Sequence, residues 1–302
     1  MEATHVFVKG RQGGGIFYRK EDFLVYITIV SVLVRQLELE VLAFCPMFNH
    51  VHFLFKMIEP GVLRKFIQLS AHSFVREYNA EYGRKGALFQ KGFGRSMKKG
   101  IKIILGCVAY VFNNPVAGRI ARKASDYKWN LLAYMDNKSP FSKPVKRKHS
   151  RYALKVALKK IDYFHSSGTY IGYAALRNIF ADLDKEEIRQ ATDYLLYKYS
   201  FISYTSLEEL YGSREKLLVA LDSNAGSEFD LEDEYGDHSV YRRMLKTVVD
   251  FGFTGRDLNF ERLPEKEARA LYYLIKSKAN APHSSICKFL HLDGKMQLPH
   301  YK

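Results

Sequence analysis

Residues 45–55 read CPMFNHVHFLF, two histidines one residue apart in an otherwise apolar run. In an extended strand alternate side chains share a face, so His50 and His52 point to one side of a sheet while Val51 and Phe53 point to the other. Two neutral imidazoles on neighbouring rigid positions are a preorganised pair of metal ligands, and a pair is an incomplete site. A second group of chemistry-bearing residues lies in CVAYVFNNP, residues 107–115. Tyr110 and Asn114 are four apart in a segment expected to be helical, so phenol and carboxamide share a helical face. Such a helix packed on the strand would bring Tyr110, Asn114, His50 and His52 to one place, and any third ligand for the pair has to come from outside the strand. The competing reading makes the two histidines ordinary hydrogen-bonded residues, and a bare His-x-His motif does not decide between them. His5 and His72 are expected to be an ordinary strand residue and an ordinary helix residue.

The elements that must position these groups are legible from periodicity. THVFVKG (4–10) alternates like a strand, GGG (13–15) marks a flexible turn, and residues 20–37 lack breakers and predict a buried helix. Residues 39–47 and 50–57 are rich in β-branched and aromatic side chains and predict paired strands joined near Phe48 and Asn49. A helix follows with Leu63, Phe66, Ile67, Phe74 and Tyr78 on one face and Gly83 as its stop. Residues 83–100 are glycine-rich and basic, and residues 101–114 predict a helix ended by Pro115. This order indicates an α+β fold, an N-terminal antiparallel sheet with packed helices.

Residues 137–151, dense in Pro, Ser, Lys and Arg, are expected to be a linker between an N-terminal domain (1–136) and a mainly α-helical accessory domain (152–302). In the latter, Asp184 and Glu187 form a capping box that opens a helix over 184–199. Residues 224–238 predict an exposed acidic loop, and 264–292 a helix, turn and helix. The last pair would be a degenerate helix-turn-helix, since Pro299 interrupts any third helix able to enter a major groove.

Charge narrows the partner. Of the formal net +15, residues 1–150 carry all of it, with 25 Lys and Arg against 10 Asp and Glu, whereas residues 151–302 carry 22 of each. A basic half beside a neutral one predicts a polyanionic partner, and nucleic acid is the usual one. Arg84, Lys85, Lys91, Arg95, Lys98, Lys99 and Lys102 interleave with Phe89 and Phe93, a composition suited to backbone contacts and base stacking on single-stranded or hairpin DNA; the alternative is a solvated basic hairpin whose phenylalanines fill the core. At 47% hydrophobic residues the chain can bury a full core. It has no apolar run of about 18 residues and no signal-like N-terminus, so a soluble, cytoplasmic protein without membrane association is expected. Cys45, Cys107 and Cys287 are isolated, odd in number, and expected to be small buried hydrophobes.

Taken in order, FCPMFNHVHFLFKM, GALFQKGFGRS and CVAYVFNNPVAGRI resemble the single-tyrosine transposases of the HUH endonuclease class, in particular the REP-associated tyrosine transposases. The resemblance covers about residues 4–120 and extends upstream through HVFVKGRQGGGIFYRKEDF. It implies a ferredoxin-like HUH fold for this part of the chain. It also implies that His50 and His52 are the metal-binding pair, Tyr110 the nucleophile, and Asn114 the third, oxygen ligand. The implied cofactor is a divalent cation, Mg²⁺ or Mn²⁺, and the implied reaction is cleavage and strand transfer of hairpin-bearing single-stranded DNA through a 5′-phosphotyrosine. Met47-Phe48 stands where the family usually has Met-Pro, and GRQGGG is richer in glycine than usual. Two other readings remain open: a hairpin-DNA-binding protein of the same fold that no longer cuts, and a small metallohydrolase, which lacks a nearby carboxylate ligand. A monomer acting in cis and a homodimer acting in trans are both compatible with these motifs.

Overall fold

The structure is a computed structural model that describes residues 1–223, 238–253, 264–290 and 292. It begins with β1 (Glu2–Lys9), α1 (Lys20–Gln36), β2 (Val41–Met47), β3 (His50–Lys56), α2 (Pro60–Tyr82), β4 (Gly94–Lys99) and α3 (Ile101–Ala117). The four strands form one sheet in the order β2-β3-β1-β4, with every neighbouring pair antiparallel. The α+β class expected from the sequence is therefore observed.

Register decides which side chains share a face. His52 stands opposite Phe7 on β1 and opposite Cys45 on β2, and His5 stands opposite Ser96 on β4. Directly paired residues point the same way, so His5, Phe7, His50, His52 and Cys45 occupy one face. Val6, Val51, Phe53 and Phe55 occupy the other. There Phe53 and Phe55 pack on Phe66 of α2 with ring centroids 5.4 and 5.3 Å apart, and Phe74 of α2 packs on Phe17 and on Tyr26 of α1. α3 covers the histidine face and touches all four strands. α2 starts on Pro60, whose missing N–H costs nothing in a first turn, and stops at Gly83, whose φ of 60° suits glycine.

Three sequence expectations change. β4 lies within 83–100, which was expected only to be a basic glycine-rich segment; its edge position explains why no apolar alternation announces it. α3 runs through Pro115 to Ala117, because proline in a last turn forfeits one hydrogen bond while Gly118 N–H still reaches the Asn114 carbonyl at 2.9 Å. The GGG turn is tightly packed: a Cβ on Gly15 would lie 2.3 Å from the Phe48 ring, and the N–H groups of Ile16 and Phe17 donate to the Phe48 carbonyl. Phe48 is thus the anchor of this loop.

The second half is helical among the described residues: α4 (Tyr152–Ser166), α5 (Tyr173–Phe180), α6 (Lys185–Lys198), α7 (Tyr204–Tyr211), α8 (Arg214–Ser223), α9 (His238–Asp250), α10 (Glu265–Ala279) and α11 (His283–Phe289). Asp184 caps α6 as expected, accepting from the N–H groups of Glu186 and Glu187 at 2.9 Å while Glu187 accepts from the Asp184 N–H. One apolar core runs from Ala3 in β1 to Leu221 in α8, across the expected linker. Residues 137–151 are tied down where Phe141 N–H and Ser142 Oγ donate to the buried Asp193 carboxylate of α6. A second, smaller core joins α9, α10 and α11, and Phe289 of α11 reaches Tyr18 with centroids 5.9 Å apart. The expected helix pair over 264–292 is α10 and α11; a third helix, α9, precedes it and packs on both. Most of the acidic stretch 224–238 lies outside the described residues, as does Pro299. No described helix is long and apolar enough to cross a membrane. Cys45 and Cys107 are buried as expected, whereas Cys287 is partly exposed.

Candidate active site

β3 carries His50 and His52, and α3 lays Tyr110 and Asn114 over them. The His52 ring is buried, with its centroid 4.8 Å from that of His50 and 5.5 Å from that of Tyr110, edge-on in both cases. Tyr110 is 9% exposed and Asn114 1% exposed. The four residues singled out by spacing therefore converge within one chain, from one strand and one helix.

Orientation of the donor atoms follows from their hydrogen bonds. Asn114 Nδ2 donates to the Tyr110 carbonyl at 3.3 Å, the i to i−4 bond that a helix interior permits, and this turns Oδ1 toward the sheet. His50 Nδ1 donates to Asn49 Oδ1 at 2.8 Å, which directs Nε2 to Asn114 Oδ1 at 3.5 Å. A nitrogen lone pair and a carbonyl oxygen so placed suit a shared cation or a proton. Two ligands each about 2.1 Å from a cation and at right angles stand about 3 Å apart, close to this spacing. His50 Nε2 and Asn114 Oδ1 thus stand near the spacing of two ligands of one divalent cation, and two imidazoles with one amide oxygen are a donor set chemically suited to such an ion. Among the described residues there is no group of three or more His, Cys, Asp or Glu side chains placed to hold a metal.

Sequence reasoning passed over one member of the site. His5 Nε2 lies 3.0 Å from His52 Nδ1, the rings inclined by 11°, and the Tyr110 ring meets His5 at right angles with centroids 5.7 Å apart. With Nδ1 engaged in this way, His52 would coordinate through Nε2. His5 thereby fixes the orientation of the His52 imidazole, as a hydrogen-bond partner would for a ligating histidine. The signal was present in the alternation of β1, but recognising it needed the β1–β3 register.

The seven basic residues of 84–102 do not share one surface. Lys98 projects from β4 toward the α3 face, the face of the histidines, whereas Arg95 and Lys99 project from the opposite face of the same strand. Lys99 pairs with Glu2 at 3.1 Å. Lys85 and Lys91 are exposed in the turn between α2 and β4, and Lys102 is exposed in the first turn of α3. Arg84 is half-buried and stacks over Tyr78, 5.7 Å from its centroid. Phe89 is not a surface stacking platform: it is 8% exposed and packs on Tyr26 and Phe74. Phe93 is half-buried against the same core.

No family description and no curated protein matches this sequence. Among solved structures, a REP-associated tyrosine transposase bound to a REP hairpin is similar over 42% of this chain and 73% of its own, at 16% identity and a TM-score of 0.33. That likeness is too distant to bear on function.

One further ionisable group sits near the site's scaffold. Asp22, in the first turn of α1, is fully buried and accepts from the hydroxyls of Tyr82 and Tyr173 at 2.7 Å and from the N–H groups of Tyr18 and Arg19 at 2.8 Å. Burial pushes its pKa up to about 6, against the pull of those four donors. It ties α1, the end of α2 and α5 together.

Proposed function

We propose that this protein is a metal-dependent, single-tyrosine DNA strand transferase of the HUH class, and that its βαββαβ sheet with strand order β2-β3-β1-β4 is a ferredoxin-like HUH fold. The observation that carries the reading is the convergence of Tyr110 and Asn114 on α3 with His50 and His52 on β3. Tyr110 Oη attacks a phosphodiester of hairpin-bearing single-stranded DNA and loses its proton. The bond from phosphorus to the 3′-oxygen breaks, leaving a 5′-phosphotyrosine and a 3′-hydroxyl. Because the linkage conserves the energy of the phosphodiester, a second 3′-hydroxyl can displace the tyrosine and rejoin the strands without a nucleotide cofactor.

His50, His52 and Asn114 would hold Mg²⁺ or Mn²⁺, which when bound neutralises charge developing on the phosphate oxygens. An ordinary phenol titrates near pH 10, so such help at neutral pH is needed. His5 orients His52, and Asn114 is itself fixed by the Tyr110 backbone. Lys98, on the site's own face, is the member of the basic set best placed to meet the DNA backbone there. A monomer acting in cis and a dimer acting in trans both accommodate this arrangement.

The test is a denaturing gel of purified protein with single-stranded oligonucleotides from the flanks of its gene, with either metal. The reading expects a metal-dependent protein–DNA adduct that Tyr110→Phe and Asn114→Ala both lose. Tight hairpin binding with no adduct under either metal would leave the binding-only reading in its place.

A further inference from the structure

The excess of positive charge does not end with the sheet. Residues 137–161 contain nine Lys and Arg and no Asp or Glu, so the run crosses from the expected linker into α4. α4 buries Leu154, Ala157, Leu158 and Ile161, and that leaves Tyr152, Val156, Lys159 and Tyr163 in line on its outer face at spacings of four, three and four. Tyr152 is 82% exposed and Tyr163 69% exposed. These are large aromatic surfaces left in water about three helical turns, or about 16 Å, apart. Between them lies a shallow groove whose lining includes Lys155, Lys159, Lys160, Val156 and Phe164. Arg147 and Arg151 are engaged with Asp162 and Glu187, but no ion pair among the described residues involves Lys146, Lys148, Lys155, Lys159 or Lys160. Lys155 Nζ donates to the Lys148 carbonyl at 3.2 Å and Lys160 Nζ to the Asn178 carbonyl at 3.3 Å, both exposed contacts, and core packing explains neither the two tyrosines nor Lys159.

We infer that the outer face of α4, with Tyr152 and Tyr163 flanking Lys155 and Lys159 beside the basic segment 146–151, is a binding surface for single-stranded nucleic acid. Exposed aromatic rings offer stacking faces to unpaired bases of any sequence, and the intervening ammonium groups meet the phosphates. A duplex hides its base faces and can use only the charges. The surface stands whether or not Tyr110 cuts, because it shares no residue with the site on α3 and β3. Where Tyr110 does cut, the surface gives the enzyme a second hold on a strand outside the cleavage site.

Fluorescence anisotropy of the full chain with a labelled oligothymidylate tests this, against a blunt duplex of equal length and anionic phospholipid vesicles. Tyr152→Ala with Tyr163→Ala is expected to weaken single-strand binding at least about tenfold, since stacking is worth about 1–3 kcal/mol per base. Lys155→Glu with Lys159→Glu is expected to make the dependence of log affinity on log salt shallower by about 1.4, from about 0.7 per phosphate contact. Unchanged affinity and salt slope in both variants, no preference for single strand over duplex, or loss of vesicle binding alone would each overturn the inference. The adduct assay on the same variants keeps the two proposals apart. A retained Tyr110 adduct with weakened strand binding supports both, whereas oligonucleotide binding that ignores α4 while Tyr110 still forms its adduct overturns only this one.

Discussion

The two faces of the sheet differ by one residue of register and by nearly everything chemical. On the side of α1 and α2, Val6, Val51, Phe53 and Phe55 meet Phe66 and Phe74 in an interface of aromatic and branched side chains. On the side of α3 the same strands present His5, His50 and His52, and the helix returns Tyr110 and Asn114. Burial is nearly complete on both, with Phe53 and His52 each at 0% exposure. Hydrophobicity explains the first face. Placing three imidazoles and a carboxamide in the second serves no packing purpose that apolar residues would not serve better, because buried polar groups are tolerated only when partnered. The contrast separates an apolar packing face from a face of buried, hydrogen-bonded polar groups.

The contrast can be broken by exchanging roles. His50→Ala should drive strand cleavage below detection in the adduct assay while moving the urea midpoint little, within about 1 kcal/mol, because His50 is only half-buried. A stability loss comparable to that of a core residue would return His50 to the fold. Phe53→Ala on the other face should cost about 3–5 kcal/mol by chemical denaturation, as for other large-to-small changes in packed cores. A loss below about 1 kcal/mol would mean that this face is not the stabilising one.

Asp22, buried in the first turn of α1, is an ionisable group on the packing side. Its folded pKa of about 6 lies above the ordinary 3.8, so at intermediate pH the folded state holds a proton that the unfolded chain has released. Its contribution to stability is therefore greatest below pH 4 and falls as pH rises through 6. A difference of about two units amounts to about 3 kcal/mol. Thermal melts of Asp22→Asn between pH 4 and 7 should lack that slope relative to the unaltered protein; an identical slope would show that Asp22 does not titrate in this window.

The smallest effect belongs to His5. Removing a residue that orients a metal-ligating imidazole typically costs 10–100-fold in metal affinity, about 1.4–2.7 kcal/mol. His5→Ala should raise the Mn²⁺ concentration needed for half-maximal adduct by that factor, and calorimetric titration of Mn²⁺ should show the same shift without DNA. His5→Gln, which can still accept from His52 Nδ1, should recover part of it. Unchanged metal binding in His5→Ala would make the contact incidental.

What could be read beforehand followed from local pattern. The strands of the β2–β3 hairpin, the long helices and the shared helical face of Tyr110 and Asn114 all announce themselves in period and spacing, and the structure places them so. β4 stayed hidden because its sequence, Gly94 to Lys99, has no apolar alternation: one face is open to solvent and the other carries Ser96 and Lys98. His5 stayed hidden because its partner lies 47 positions away and only strand register joins them. Phe89 was misplaced among surface aromatics because its neighbours in sequence are basic, while its neighbours in space, Tyr26 and Phe74, are not. Residues 137–151 have the composition of a linker but are held by Asp193, a buried carboxylate whose value lies in contacts invisible to composition.

If Tyr110 is the nucleophile, it becomes covalently joined to DNA. The most direct test is mass spectrometry of the protein after reaction with a hairpin-bearing single strand and Mn²⁺, followed by nuclease trimming and proteolysis. A nucleotide remnant joined through a 5′-phosphate to the peptide containing Tyr110 is expected, and none in protein kept without metal. A remnant on any of the other tyrosines, or cleaved DNA with no protein-linked nucleotide, would contradict it.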